Sequence, residues 1–346
     1  MGVIRFIYTI SHLNVAVEQL IYELEYGNTF VVSENSEKMI TLKLGDLTWV
    51  DWRQDQDKLE IIVKDQFFSE SDIFEKILTS FIYNLVDFGQ IRLEEIDISQ
   101  SIWKKLINQQ HRSHQPQKRE QMHLGTVIKP YYHTSLDERI AFINKVASHN
   151  ITFVKEDETY LLHPAALLDQ TNRIKAAIGS EMNYVPNITA AVSEYALIES
   201  LLKHKVNPMM VNILVVGFQN IRKLKAQFPE IELWGHRVGY NFLENHVSVR
   251  AFSQLCLLAG ITYLHVGTPW SQAGAIEKNQ LCNELTRDYP AFIPVFTKTS
   301  PEIVSLIKNN VHHQKVMMAC GYLRDEMGRI DDRKVASWAE VELDEP

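Results

Sequence analysis

The chain has 346 residues, enough for one large domain or two, and 45% of them are hydrophobic. No apolar run reaches the roughly 18 residues of a membrane-spanning helix, and a net charge of -8 disfavours nucleic acid or an anionic membrane as a partner. The three cysteines, Cys256, Cys282 and Cys320, are an odd count without metal-type spacing. They fit free thiols in a reducing compartment, so the cytoplasm is the expected location.

The start, Met1-Gly-Val-Ile-Arg5-Phe-Ile7, lacks a basic segment followed by a long apolar one and reads as a first strand. Residues 1–103 mix β-rich runs (Val3 to Ile10, Met39 to Leu44, Leu59 to Lys64) with helical patterns. Ser69-Glu-Ser-Asp72 is a cap-like entry to one such helix. Gln90 to Ile98 alternates polar and apolar and reads as a half-buried strand. The whole predicts a small α+β sandwich. Residues 104–123 hold few apolar side chains and read as a surface linker.

From residue 124 to 346, short apolar runs alternate with helical patterns. Strands are expected at Val127-Ile128, Thr152 to Lys155, Asn183 to Val185, Met209 to Val215, Glu232 to Trp234, Tyr263 to His265, Phe292 to Phe296 and Val316 to Ala319. Helices are expected between them: Leu136 to Ser148, Gln170 to Ala177, Tyr195 to Lys203, Gln219 to Gln227, Val247 to Leu258, Glu277 to Arg287 and Glu302 to Lys308. Eight strands separated by helices fit a (β/α)8 TIM barrel, and an open doubly wound sheet fits the same pattern.

One strand end stands out. Ile151-Thr-Phe-Val-Lys155-Glu156-Asp157-Glu158 runs from apolar residues into a lysine and three acids. Alternation puts Lys155 and Asp157 on one side and Glu156 on the other. Such a cluster is either a salt-bridged rim or a set of oxygens around a hard cation. A free ammonium has only donors, whereas a lysine carbamylated by CO₂ is an oxygen ligand.

The order Ile128-Lys129-Pro130, then Lys155 to Glu158, then His236-Arg237, then His265-Val-Gly267-Thr268 resembles the large subunit of ribulose-bisphosphate carboxylase (RuBisCO) and its RuBisCO-like relatives. The likeness runs over about residues 55 to 325. It implies a C-terminal TIM barrel behind an N-terminal ferredoxin-like α+β domain. It also implies Mg²⁺ held by carbamylated Lys155, Asp157 and Glu158, with Lys129 as the base and His236 near the reacting carbons. Arg237, His265, Gly267, Thr268, Lys298 and Gly321 would bind a sugar-phosphate-like substrate, and Asn84 would reach the partner's site across a homodimer.

Departures bear on the reaction. Carboxylases carry a lysine on the loop after His-x-Gly-Thr; here that loop reads Gly267-Thr-Pro-Trp270-Ser-Gln-Ala-Gly274. CO₂ fixation is therefore not expected. The second lysine of Ile-Lys-Pro-Lys is Tyr131, Glu156 stands for the first Asp of the tetrad, and the glycine-rich phosphate loops read Thr297-Lys298-Thr299 and Ala319-Cys320-Gly321. The expectation is a Mg²⁺-dependent enzyme that enolises, isomerises or decarboxylates a sugar-derived phosphate. The alternatives are the methionine-salvage enolase acting on 2,3-diketo-5-methylthiopentyl 1-phosphate, weakened by the absence of a lysine near Asn84, and a non-catalytic binding or regulatory descendant.

Overall fold

The computed structural model describes residues 2–13, 31–36, 39–44, 47–55, 57–64, 74, 78, 89–99, 101–102, 122–129, 135–149, 151–179, 182–267, 272–308, 314–319, 321–325 and 329–341. The chain divides into two compact units, Met1–His111 with Gly239–Ala259, and Arg112–Val238 with Gly260–Pro346.

The first unit is built on β1 (Val3–Leu13), β2 (Val31–Ser36), β3 (Met39–Leu44), β4 (Leu47–Asp55), β5 (Lys58–Lys64) and β6 (Gly89–Ile98). They form one antiparallel sheet in the order β2-β3-β4-β5-β1-β6. The β4-β5-β1-β6 part has the ferredoxin-like order, with the β2-β3 hairpin added at one edge. Ile4, Phe6, Tyr8 and Ile10 are buried in alternation on β1, as period two requires. On β6 the parity breaks: Ile91 and Leu93 are buried, then Ile96. Glu95 pairs with Ile7 and Leu93 with Tyr8, so Glu94 is the extra residue of a β-bulge that returns Ile96 to the core face. The outer edge of β6 is covered by the segment from His246 to Gln254. The Gln254 amide bonds both the N–H and the carbonyl of Ile96 (2.9 and 2.8 Å), and Leu93 exchanges backbone bonds with His246 and Ser248 (2.8 Å each).

The second unit carries β7 (Met122–Ile128), β8 (Phe153–Glu156), β9 (Asn183–Val185), β10 (Met209–Asn212), β11 (Leu233–His236), β12 (Ile261–Gly267), β13 (Ile293–Thr297) and β14 (Lys315–Met318). Each pairs in parallel with its sequence neighbour, and β14 pairs with β7. The ring closes between β9 and β10, where Met210 N–H donates to the Pro186 carbonyl and accepts from Ile188 N–H through its own carbonyl, both at 2.9 Å. The sheet is an eight-stranded parallel barrel.

Its interior holds Val127, Phe153, Val185, Met210, Trp234, Tyr263, Ile293, Val295, Val316 and Met318. Trp234 stacks on Tyr263 at 5.2 Å between centroids and 7° between planes, and Phe153 leans on both. Two residues further along the same strands, alternation brings Lys155, Asn212, His236 and His265 to the same interior. A polar layer thus lies on an aromatic floor.

The strand expected over Met209 to Val215 is a correction. It ends at Asn212, and Ile213–Val216 is a helical turn closed by Gly217 N–H on the Ile213 carbonyl (2.8 Å). A short apolar run reads alike as strand or helix. The helix Asp332–Glu340 adds an element that periodicity did not bring out; Asp331 caps it through Arg333 N–H (3.0 Å), and Val335, Trp338 and Ala339 are its buried face. Among the described residues Cys256 and Cys282 are buried free thiols, and no helix is long and apolar enough to cross a membrane.

Candidate active site

The site is assembled where the barrel strands end. Asp157, fully buried, gives Oδ2 to the Lys129 ammonium and Oδ1 to the backbone N–H and hydroxyl of Thr159 (2.9 and 2.5 Å). Burial alone would raise its pKa, but the bonds from Lys129 and Thr159 outweigh it and hold the carboxyl below the ordinary range. Lys155 is 1% exposed. Its Nζ donates to the Glu156 carbonyl at 3.1 Å, meets Met210 Sδ at 3.6 Å and lies 3.7 Å from Glu158 Oε2. Glu158 Oε2 is also 3.7 Å from His236 Nε2. Burial opposes ionisation of Glu158, yet Lys155 and then His236 lower its pKa.

His236 and His265 meet edge to face, 4.5 Å between ring centres. Burial, then the positive charge of Lys155, pushes His236 down to about 3. Burial does the same to His265, which falls well below its usual value with further help from His236, Lys155 and Arg237. Both rings are therefore neutral near pH 7. Trp234 Nε1 donates to His265 Nε2 at 2.7 Å.

The turn after β8 is braced from its neighbours. Asn187 Nδ2 donates to the carbonyls of Asp157 and Glu158 (3.2 and 3.3 Å), and Asn212 Nδ2 donates to the Glu158 carbonyl (2.7 Å). At about 1 kcal/mol each, these bonds fix the two carboxylates more firmly than a free loop would. Glu156 faces the other way, as alternation requires. Its Oε1 accepts from Tyr184 (2.6 Å) and Gln170 (3.4 Å), while burial, only partly offset by Tyr184 and Arg139, raises its pKa.

Gly267 ends β12 with φ of 99°. A Cβ there would collide with the guanidinium of Arg237, so the glycine opens the space that Arg237 fills. Lys298, after β13, is exposed and holds a left-handed backbone (φ 53°) at a position where the resemblance has a glycine. Gly321 is exposed after β14.

No family model matches the chain. Sequence comparison finds the ribulose bisphosphate carboxylase large chain of Acidiphilium cryptum, 25% identical over 160 residues, 42% of this chain and 32% of the relative. A large chain of Nitrobacter hamburgensis is 28% identical over 160 residues, 42% of this chain and 33% of that one. The 3-oxo-isoapionate-4-phosphate transcarboxylase/hydrolase of Xanthobacter autotrophicus is 26% identical over 158 residues, 41% of this chain and 37% of that one. The match thus spans about a third of these relatives' length. By structure, a RuBisCO-like protein from Burkholderia fungorum superposes with a TM-score of 0.69 and 17% identity over 99% of this chain and 95% of that one. The Pyrococcus horikoshii RuBisCO gives 0.71 and 16% over 99% and 87%. The chain thus shares the fold of RuBisCO and RuBisCO-like proteins and is similar in sequence to RuBisCO large chains over that stretch.

Within that fold, Lys129, Lys155, Asp157, Glu158, His236 and His265 form one linked cluster, with Arg237 and Gly267 against each other beside it. Asn84 and Thr268, with Tyr131, Trp270 and Cys320, lie outside the described residues. Sequence reasoning did not single out Trp234, Asn187 or Asn212. Trp234 stands two residues before His236 on one strand, a period-two signal that it shares the histidine's side of the sheet.

Proposed function

We propose that this barrel end is the active site of a Mg²⁺-dependent RuBisCO-like enzyme that enolises, isomerises or decarboxylates a sugar-derived phosphate without fixing CO₂. The observation that carries this is the convergence of two lysine–carboxylate pairs, Lys129–Asp157 and Lys155–Glu158, with the neutral His236–His265 pair at one barrel mouth. Barrel enzymes build their sites at that end.

The donor set fits a hard cation. Among the described residues His, Cys, Asp and Glu alone supply no group of three able to hold a metal. Asp157 and Glu158 give two carboxylates, and a carbamate on buried Lys155, whose Nζ is 3.7 Å from Glu158, would add a third oxygen donor. When bound, Mg²⁺ would polarise a substrate carbonyl and acidify the C–H beside it. Lys129 would take that proton, which requires its ammonium to leave Asp157 and first give up a proton to become the neutral amine. His236 would hydrogen-bond near the reacting carbons, and the Arg237 fork would hold a phosphate. A matched relative's name carries a 3-oxo group and a phosphate, the chemical class proposed here.

The active unit in this reading is a homodimer. Leu161, Tyr195, Val215, Val238, Phe242 and Ile276 are the exposed large apolar side chains among the described residues. In the barrel unit, Leu161, Tyr195, Val215, Val238 and Ile276 lie in segments or early helical residues that follow strands β8 to β12, where a partner would cover the mouth. One fold neighbour is a dimeric archaeal RuBisCO from Hyperthermus butylicus.

The test is a panel of sugar phosphates incubated in D₂O with Mg²⁺ and bicarbonate. At least one should acquire solvent deuterium at carbon, and Lys129→Met should abolish the exchange. Exchange that survives Lys129→Met removes Lys129 as the base.

A further inference from the structure

The bond between Trp234 and His265 decides more than packing. An indole N–H only donates, so the imidazole nitrogen 2.7 Å from it must be an acceptor. Nε2 therefore carries no proton, and the neutral ring holds its proton on Nδ1. An imidazolium would set two N–H groups against each other, in a site where Lys155, His236 and Arg237 already oppose added positive charge.

Trp234 is itself held still. It is fully buried, stacks on Tyr263 at 5.2 Å and meets Phe153 at 5.7 Å. Tyr263 in turn hydrogen-bonds Glu232. The indole has little freedom to give up its acceptor, and a ring so clamped keeps one tautomer.

We propose that Trp234 is a positioning residue that locks His265 as the Nδ1–H tautomer, so that this barrel end presents a hydrogen-bond donor and selects a substrate oxygen there, a carbonyl, hydroxyl or phosphate oxygen, over a donor group. The selectivity rests on reading this barrel end as the substrate site. The tautomer rests on geometry alone.

The test is ¹⁵N NMR of the whole protein labelled at histidine, with His265→Gln assigning the signal. The wild type should show an unprotonated Nε2 and a protonated Nδ1 that hold through the pH range where ordinary histidines titrate. Trp234→Phe keeps an aromatic ring over Tyr263 but deletes the N–H; its His265 should exchange between tautomers. Inorganic phosphate, as the probe oxyanion, should bind Trp234→Phe about tenfold more weakly, the worth of one hydrogen bond. A wild-type Nε2–H signal, an unchanged spectrum in Trp234→Phe, or equal phosphate affinity overturns the proposal. If Trp234→Phe does not fold, the wild-type spectrum decides alone. Failure of the deuterium-exchange assay would leave that spectrum as it is, which separates the two readings.

Discussion

The guanidinium of Arg237 occupies the space that a side chain at position 267 would need. Gly267→Ala meets both this collision and a left-handed backbone, φ 99°. It should cost about 1–3 kcal/mol of stability and displace Arg237. Phosphate binding should then fall as far as in Arg237→Ala. Thermal unfolding and a phosphate titration measure the two effects, and unchanged phosphate affinity in Gly267→Ala would separate Arg237 from anion binding.

Acid should weaken the fold in two stages. His236, pushed down to about 3, and His265, well below its usual value, stay neutral in the native state while the unfolded chain protonates them below about pH 6.5. Their contribution is whole above that pH and is lost as the pH falls below it, down to about 3 for His236, at up to about 1.4 kcal/mol per pH unit for each ring. Asp157 and Glu158 have depressed folded pKa values, so their contribution is present above the ordinary carboxylate range and is lost as pH falls through the folded values. Urea unfolding across pH should show a shallower first stage in His236→Asn. An identical slope would mean that His236 titrates normally in the folded protein.

Carboxylation should be absent. The segment Gly267 to Gly274 contains no lysine, and the segments that the resemblance aligns with glycine-rich phosphate loops read Thr297-Lys298-Thr299 and Ala319-Cys320-Gly321. Incubation with ribulose bisphosphate and ¹⁴CO₂ should leave no acid-stable label; incorporation above the Lys155→Ala background would refute this.

Most barrel strands and the charged cluster were legible in the chain because each strand is a short apolar run ending in polar residues, and parity sorts Lys155 and Asp157 from Glu156. What stayed hidden depends on partners distant in sequence. Ile213 to Val215 looks like more strand because apolar residues alone do not distinguish a helical turn. The Glu94 bulge could be seen in the parity break between Leu93 and Ile96, but only pairing with β1 shows which residue is extra. Trp234 looks like core, and it is; its bond to His265 comes from β11 lying beside β12. The ion pair between Lys129 and Asp157 likewise joins adjacent strands' ends.

Association should be required for activity. The exposed apolar residues of the barrel unit that follow β8 to β12, Val215 at 66% above all, favour a covered mouth. Asn84, the residue the resemblance sends across the interface, then belongs to the partner's site. Mixing Asn84→Ala chains with Lys155→Ala chains should restore part of the activity that each lacks, because one hybrid site regains both residues. A fully active monomer on light scattering would contradict the shared site.

Lys155, with Asp157 and Glu158, should make a CO₂-dependent Mg²⁺ site. Calorimetric titration with Mg²⁺, with bicarbonate and after CO₂ depletion, tests it most directly. Mg²⁺ should bind the parent tightly only when CO₂ is present, with at least a tenfold loss in Lys155→Ala. Mg²⁺ binding to Lys155→Ala as tight as to the parent, or indifferent to CO₂, would contradict it.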